Sequence, residues 1–258
     1  MEFIEISKQQ YVTTIHLNRP AKRNALHQAM IQELLQTITM LMHDEQTRIL
    51  VVQARGETFC AGADIEWMKH ITARSYDENV DDAQLLADLF YKLYHFPKPT
   101  LALVQGAALG GGLGLLTACD IAIATETAQF GFSEVRLGIT PSCISPYVIA
   151  AIGERQARYY FLTGEKFAAH EAKRLGLIHQ VVAENALESS GKNIIKELLN
   201  NGPKALSSVK QLINYVAHEK ITEHLAQKTA EHLAQIRISP EAQKGLQAFV
   251  EKRVPQWE

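Results

Sequence analysis

The chain has 258 residues, and its 26 Lys and Arg against 28 Asp and Glu leave a formal net charge of −2. That balance, without any run of basic residues, argues against a dedicated nucleic-acid binder. Hydrophobic residues at 47% and charged residues at 21% argue against global disorder. A chain of this length buries on the order of three-quarters of its unfolded surface, so it needs no metal or disulfide staple. Cys60, Cys119 and Cys143 are odd in number and form no CxxC pair, which points to a reducing compartment. The start, Met1-Glu2-Phe3-Ile4-Glu5, lacks the basic and apolar regions of a signal peptide, and a cytoplasmic protein is expected.

In chain order, Phe3 to Ser7 and Tyr11 to Leu17 read as a hairpin. Leu26, Met30, Leu34, Ile38 and Leu41 recur at three and four residues, the period of a helix face. Residues 48–53 are almost uniformly apolar, as buried parallel strands are. A second helix is predicted from Asp77 to His95, with Leu86, Leu89, Phe90 and Leu93 on one face and Pro97 as its stop. Leu101 to Val104 and Ile121 to Ala124 are further buried strands, so the whole predicts an α/β fold with parallel strands. Pro99 to Cys119 carries no charge over 21 positions, long enough for a membrane span. Its five glycines and the prolines before it fit a buried strand, a glycine turn and a buried helix better. From Leu187 onward no strand signal survives and three helical patterns follow: Leu206 to Val216, Ile221 to Leu233, and Glu241 to Lys252. Two regions are therefore expected, a core over residues 1–200 and a helical appendage over residues 201–258.

Chemistry concentrates in a few loops. Gly106-Ala107-Ala108-Leu109-Gly110-Gly111-Gly112-Leu113-Gly114 follows a predicted strand and opens a predicted helix. It matches neither the dinucleotide fingerprint nor the phosphate loop. Free backbone N–H groups there suit a partial negative charge such as an enolate oxygen; close packing of helix on strand accounts for the glycines equally well. Phe59-Cys60-Ala61-Gly62-Ala63-Asp64-Ile65 reads as a strand-to-helix turn that could present a second N–H. Glu134, in Phe130-Gly131-Phe132-Ser133-Glu134-Val135, has apolar neighbours that would raise its pKa toward proton-transfer range. An ion pair with Arg136 is the alternative. Asp120 reads as structural, bonding backbone N–H groups. No Ser sits in GxSxG, no Cys has a nearby His, and the ten histidines form no metal-ligand spacing.

Together these loops resemble the crotonase (enoyl-CoA hydratase/isomerase) superfamily. The matching pieces are Asn18-Arg19-Pro20 with Asn24-Ala25-Leu26, the loops at 59–64 and 106–112, Cys119-Asp120-Ile121, Ser133-Glu134-Val135-Arg136-Leu137-Gly138, and Leu175-Gly176-Leu177-Ile178. The stretch 133–160 is most similar to bacterial methylglutaconyl-CoA hydratases. The resemblance implies a crotonase-like spiral of repeated ββα units and a C-terminal helical trimerisation region, giving homotrimers or homohexamers. It implies that the N–H groups of Ala63 and Gly111 form the oxyanion hole and that Glu134 is the second of the family's two catalytic glutamates. Lys22, Ala61, Asp64, Ile65, Gly110 and Gly114 would bind substrate or coenzyme A, with Lys252 reaching a neighbouring subunit.

The family's first glutamate is replaced by Gly114. Hydration of a 2-enoyl-CoA is still the implied activity, with 3-methylglutaconyl-CoA of leucine degradation preferred over a short-chain enoyl-CoA of fatty-acid oxidation, since Gly114 takes a negative charge out of the pocket. The alternatives are a Δ3-Δ2 enoyl-CoA isomerase working with one glutamate, and a non-catalytic coenzyme A- or RNA-binding member. No cofactor is expected beyond the coenzyme A of the substrate, and no nucleic-acid or membrane partner. A glutamate placed at 114 is expected to be tolerated and to enter the pocket beside Glu134.

Overall fold

The computed structural model of the chain describes residues 1–71 and 74–257. The predicted hairpin is β1 (Ile4–Gln9) and β2 (Val12–Leu17), antiparallel as its short turn requires. Helix α1 (Gln28–Met42) follows, burying Met30, Ile31, Leu34, Ile38 and Leu41; Leu26 lies before it, in a bridge described below. Then come β3 (Ile49–Ala54), α2 (Ile65–Ile71) and α3 (Tyr76–Tyr94). Helix α3 starts in a capping box, with Ser75 and Glu78 each accepting from the other's backbone N–H.

The charge-free stretch becomes β4 (Thr100–Val104), β5 (Ala107–Leu109) and α4 (Gly111–Thr117). Among the described residues no helix is long and apolar enough to cross a membrane. After it run β6 (Ile121–Thr125), β7 (Gln129–Gly131), a 3-10 turn at Glu134–Leu137, α5 (Ser145–Thr163), β8 (Lys166–Ala168), α6 (Ala169–Leu175) and β9 (Gln180–Val182). Helices α7 (Leu187–Leu199), α8 (Pro203–Val216), α9 (Glu223–Arg237) and α10 (Pro240–Val250) complete the chain.

The strands form two sheets, one of six in the order β1-β2-β3-β4-β6-β9 and one of three in the order β5-β7-β8. Beyond the hairpin, every pair in the large sheet is parallel. Alternation along the strands explains why they read as continuous apolar runs. Leu50, Val52, Ala102, Val104, Ala122 and Ala124 face the main core with α1, α3 and α4. Ile49, Val51, Leu101, Leu103 and Ile123 face the other way, under Leu187, Ile194, Ile195, Leu198 and Leu199 of α7. Both faces are covered, as parallel sheets require.

Helix α7 was absent from the three helical patterns expected after Leu187. Its apolar residues Leu187, Ile194, Ile195, Leu198 and Leu199 carry the spacing of a helix face, a signal present in the sequence and left out of that expectation. Asp120 is structural as expected. Its Oδ2 accepts from the N–H and Oγ1 of Thr100, both at 2.8 Å, and from Lys210 Nζ of α8, also at 2.8 Å.

Candidate active site

Two loops that are distant in sequence are laced together by backbone bonds. Leu26 pairs with Ala63 in an isolated bridge: Leu26 N–H donates to Gly62 O at 2.7 Å, and Asp64 N–H donates to Leu26 O at 2.8 Å. Cys60 pairs in the same way with Ala108, so the 59–64 loop lies alongside β5. Gly110 N–H donates to Gly131 O at 3.1 Å, which ties the glycine turn to the strand leading into Glu134. The result is one cavity of about 660 Å³. Ala61, Gly62, Ala63, Ile65, Gly110, Gly111 and Glu134 line it, with Trp67 and Met68 of α2, Ala83 and Leu86 of α3, and Thr140, Ser142, Cys143 and Ile144 ahead of α5.

The glycine run divides between its two readings. Gly110 takes φ +48°, a backbone conformation that favours glycine, and a Cβ there would lie 3.0 Å from Glu134 Oε1. The carboxylate therefore rests against the turn itself. Gly112 and Gly114, further along α4, serve packing. A Cβ on Gly112 would meet the Cys60 carbonyl at 2.7 Å, and one on Gly114 would meet Phe90 Cζ and Ile144 Cγ2 at 2.5 Å each. Among the described residues, the N–H groups of Ala63 and Gly111 have no hydrogen-bond partner, and both residues line the cavity. Two free donors are an acceptor site for a developing oxyanion.

Glu134 heads the 3-10 turn, which Gly138 closes in the left-handed region. Its Oε2 is buried without a partner. Burial pushes its carboxyl above the ordinary value of 4.5. The alternative ion pair does not form among the described residues. The exposed Arg136 extends instead toward Gly164, where its Nε lies 3.1 Å from the position of a Cβ. A half-buried carboxyl with one unsatisfied oxygen is suited to exchange protons with a bound molecule.

Four residues expected to bind substrate, Asp64, Gly114, Lys22 and Lys252, do not line the cavity. Asp64 is buried behind the loop, away from the cavity wall. Its Oδ1 caps α2 by accepting from the N–H groups of Glu66 (2.8 Å) and Trp67 (3.1 Å), and its Oδ2 pairs with Arg19 Nη1 at 2.5 Å. Burial alone would raise the Asp64 carboxyl; Arg19 and the two N–H donors outweigh it and hold the group below its usual range. Gly114 is buried, and a Cβ there would already strike Phe90 and Ile144, so a glutamate reaches the cavity only if both side chains move. The expectation that it would be tolerated is corrected by that packing.

Lys22 ends an exposed 3-10 turn at Pro20–Lys22, close enough to α2 to help Lys69 lower Glu66. Lys252 follows α10 with φ +54°. Neither lines the cavity of this single chain. Sequence reading missed Trp67, Leu86, Ile144 and the Thr140-Pro141-Ser142-Cys143 segment. Only the packing of α2, α3 and the start of α5 brings them together. Cys60 and Cys119 are buried with their thiols pushed up to about 12, which makes them poor nucleophiles.

Residues 7–258 match the sequence pattern of the enoyl-CoA hydratase/isomerase family. An enoyl-CoA hydratase from Shewanella pealeana superposes with a TM-score of 0.96 at 42% identity, covering 99% of this chain and 96% of that one. The 2,3-dehydroadipyl-CoA hydratase of Escherichia coli is 29% identical over 256 residues, 99% of this chain and 98% of its own length. An enoyl-CoA isomerase/hydratase of Mycosarcoma maydis is 33% identical over 252 residues, 93% of this chain and 89% of its own. The chain therefore belongs to the enoyl-CoA hydratase/isomerase family of the crotonase superfamily, and its fold is the crotonase fold.

Proposed function

We propose that the chain adds water across the double bond of a 2-enoyl-CoA thioester. The observation that carries this reading is one buried carboxyl oxygen without a partner, on Glu134, in the same cavity as the two free N–H groups of Ala63 and Gly111. The thioester carbonyl oxygen would accept from both amides, which take up its charge as the enolate forms. Removing one such donor in other enzymes costs ~10²–10³ in rate, so a pair is a large part of a catalyst. Glu134, ionised, would take a proton from water as its oxygen bonds to Cβ, and then return that proton to Cα. One carboxyl performs both transfers, because Phe90 and Ile144 fill the space a second acid on Gly114 would need. No cofactor enters; coenzyme A arrives with the substrate.

The lining also bears on the acyl group. Among the described residues around the cavity there is no Lys, Arg or His; its polar side chains besides Glu134 are the hydroxyls of Ser133, Thr140 and Ser142, with the Trp67 N–H and the Cys143 thiol already turned to Asp82 and Ala83. An ionised carboxylate there would meet hydroxyls and Glu134, so we take a short, uncharged 2-enoyl group as the better substrate and 3-methylglutaconyl-CoA as the weaker one. Like charges at 4 Å cost about 4 kcal/mol at an effective dielectric of 20. The isomerase reading uses the same lone carboxyl to move a proton between Cα and Cγ. A turnover panel of crotonyl-CoA, 3-methylglutaconyl-CoA and 3-hexenoyl-CoA decides between them. Hydration of crotonyl-CoA is the expected result. Double-bond migration without uptake of water would replace the hydratase by the isomerase, and binding without turnover would remove both.

Self-association through residues 201–258 is part of the same proposal. Ile221, Phe249 and Val250 are 97%, 81% and 80% exposed in the single chain, and of all the hydrophobic residues in α8, α9 and α10 only Ala248 is buried. Such faces are normally covered by a partner, here a second copy in a trimer or hexamer.

A further inference from the structure

The cavity wall formed by α2 and α3 hangs on one carboxylate that does not itself line the cavity. Helix α2 has seven residues, too few to hold its place without tethers. Its N-terminus is tethered by Asp64, which caps it and pairs with Arg19. Its second tether is Trp67, whose Nε1–H donates to Asp82 Oδ1 of α3 at 3.1 Å. Arg74, just ahead of α3, donates to the same Oδ1 from Nη1 at 2.7 Å. The Asp82 side chain is 8% exposed, so these are bonds to a nearly desolvated charge. Trp67 and Met68 stand on one side of this clasp, and Ala83 and Leu86 on the other; all four line the cavity. The opposite wall touches the same place, where Cys143 Sγ lies 3.6 Å from Ala83 O.

We propose that Asp82 is a positioning residue for substrate length: by holding Trp67 and Arg74 together it fixes the α2–α3 wall and limits how long an acyl chain the cavity admits. The two tethers of α2 separate the roles. The Asp64–Arg19 end carries Ala63, so the oxyanion donors keep their place when Asp82 is lost. The Trp67 end carries apolar wall. Loosening it lets that wall recede and admits longer chains, with the change falling on affinity and not on the chemical step. The identity of the ligand as an acyl-CoA rests on the proposed function.

The test pairs binding with turnover. Saturated butanoyl-CoA and octanoyl-CoA are titrated calorimetrically into wild type, Asp82→Ala, Trp67→Phe and Asp82→Asn, and 2-enoyl-CoAs of the same lengths are assayed for kcat and KM. Asp82→Ala and Trp67→Phe are expected to shift the octanoyl-to-butanoyl affinity ratio toward octanoyl by about tenfold, the worth of one lost bond to a charged group. Asp82→Asn, which keeps the acceptor oxygen but not its charge, is expected to shift the ratio less than Asp82→Ala. For crotonyl-CoA the change is expected in KM and not in kcat. An unchanged ratio in either of the first two variants overturns the proposal, as does an equal loss of binding for both lengths, which marks a purely structural role. Wild type that binds the saturated thioesters but turns over no enoyl-CoA refutes the hydratase reading and leaves the affinity ratio to decide this one. Wild type that binds neither thioester overturns both.

Discussion

The packing around Gly114 makes a prediction with a definite sign. Gly114→Ala adds one methyl group inside α4, where the change by itself favours the helix by about 1 kcal/mol. Against this, the new Cβ would sit 2.5 Å from both Phe90 Cζ and Ile144 Cγ2 and 2.7 Å from Phe90 Cε1. Carbon atoms settle about 3.5–4.0 Å apart, so the ring and the isoleucine must each recede by about 1 Å. Both are fully or nearly fully buried, at 0% and 3% exposure, and Ile144 can recede only toward the cavity it lines. Overpacking of a tight core costs about 1–3 kcal/mol; with two neighbours struck at once the upper end applies. The net loss is then about 2 kcal/mol, or a fall in Tm of about 4–8 °C for a chain of this size.

Phe90→Leu removes both offending ring atoms, so Gly114→Ala should be tolerated far better in that background. Thermal and urea unfolding of the four proteins at one fixed concentration would give the coupling energy, expected to be at least ~1 kcal/mol. A Gly114→Ala protein as stable as wild type, or a coupling near zero, would refute the packing account. It would also reopen position 114 to a catalytic side chain.

Glu134→Gln should lower kcat by at least ~10², the low end for a positioned acid–base group, with little change in substrate binding; near-normal turnover would move the proton chemistry elsewhere. In wild type the rate should fall as pH drops through the raised Glu134 pKa, because water must be deprotonated by the ionised form, and a flat acid limb in kcat/KM would contradict this. A carboxyl raised in the folded state binds its proton there more tightly than in the unfolded chain, so wild-type stability declines as pH rises from the unfolded value through the folded one. Glu134→Gln should therefore unfold at a higher temperature than wild type near neutrality and lose that advantage in acid, which calorimetry across pH would show. Asp64→Ala removes the α2 cap and leaves Arg19, 19% exposed, without its partner; a loss of about 2–3 kcal/mol is expected, less than for a fully buried pair. Turnover should fall as well, because Ala63 loses its support, and a stable, fully active variant would show that Asp64 does not hold the loop.

Much of the fold was legible from the residues because each signal was local. The hairpin, the Met30-Leu34-Ile38-Leu41 stripe and the apolar runs at 49–54 and 100–104 carry their period within a few residues, and the structure keeps them. The motifs at 59–64, 106–112 and 133–138 marked the loops of the cavity, because small residues and a carboxylate in apolar company are unusual wherever they fall.

What the tertiary structure decided was direction. Gly110 and Gly114 are four residues apart in one run, yet one faces Glu134 and the other faces Phe90 from a helix 24 residues upstream. Asp64 sits in the middle of a site motif and still turns away, because a helix N-terminus and Arg19 compete for its oxygens and satisfy both of them. Asp82 had no signal, and Trp67, Cys143 and Ile144 fell inside stretches of resemblance without any role attached to them. Their meaning lies in contacts across 15 to 60 residues, which no periodicity records. Position along the chain determines which chemistry is present; the direction of each side chain is set by what else needs the same space and the same hydrogen bonds.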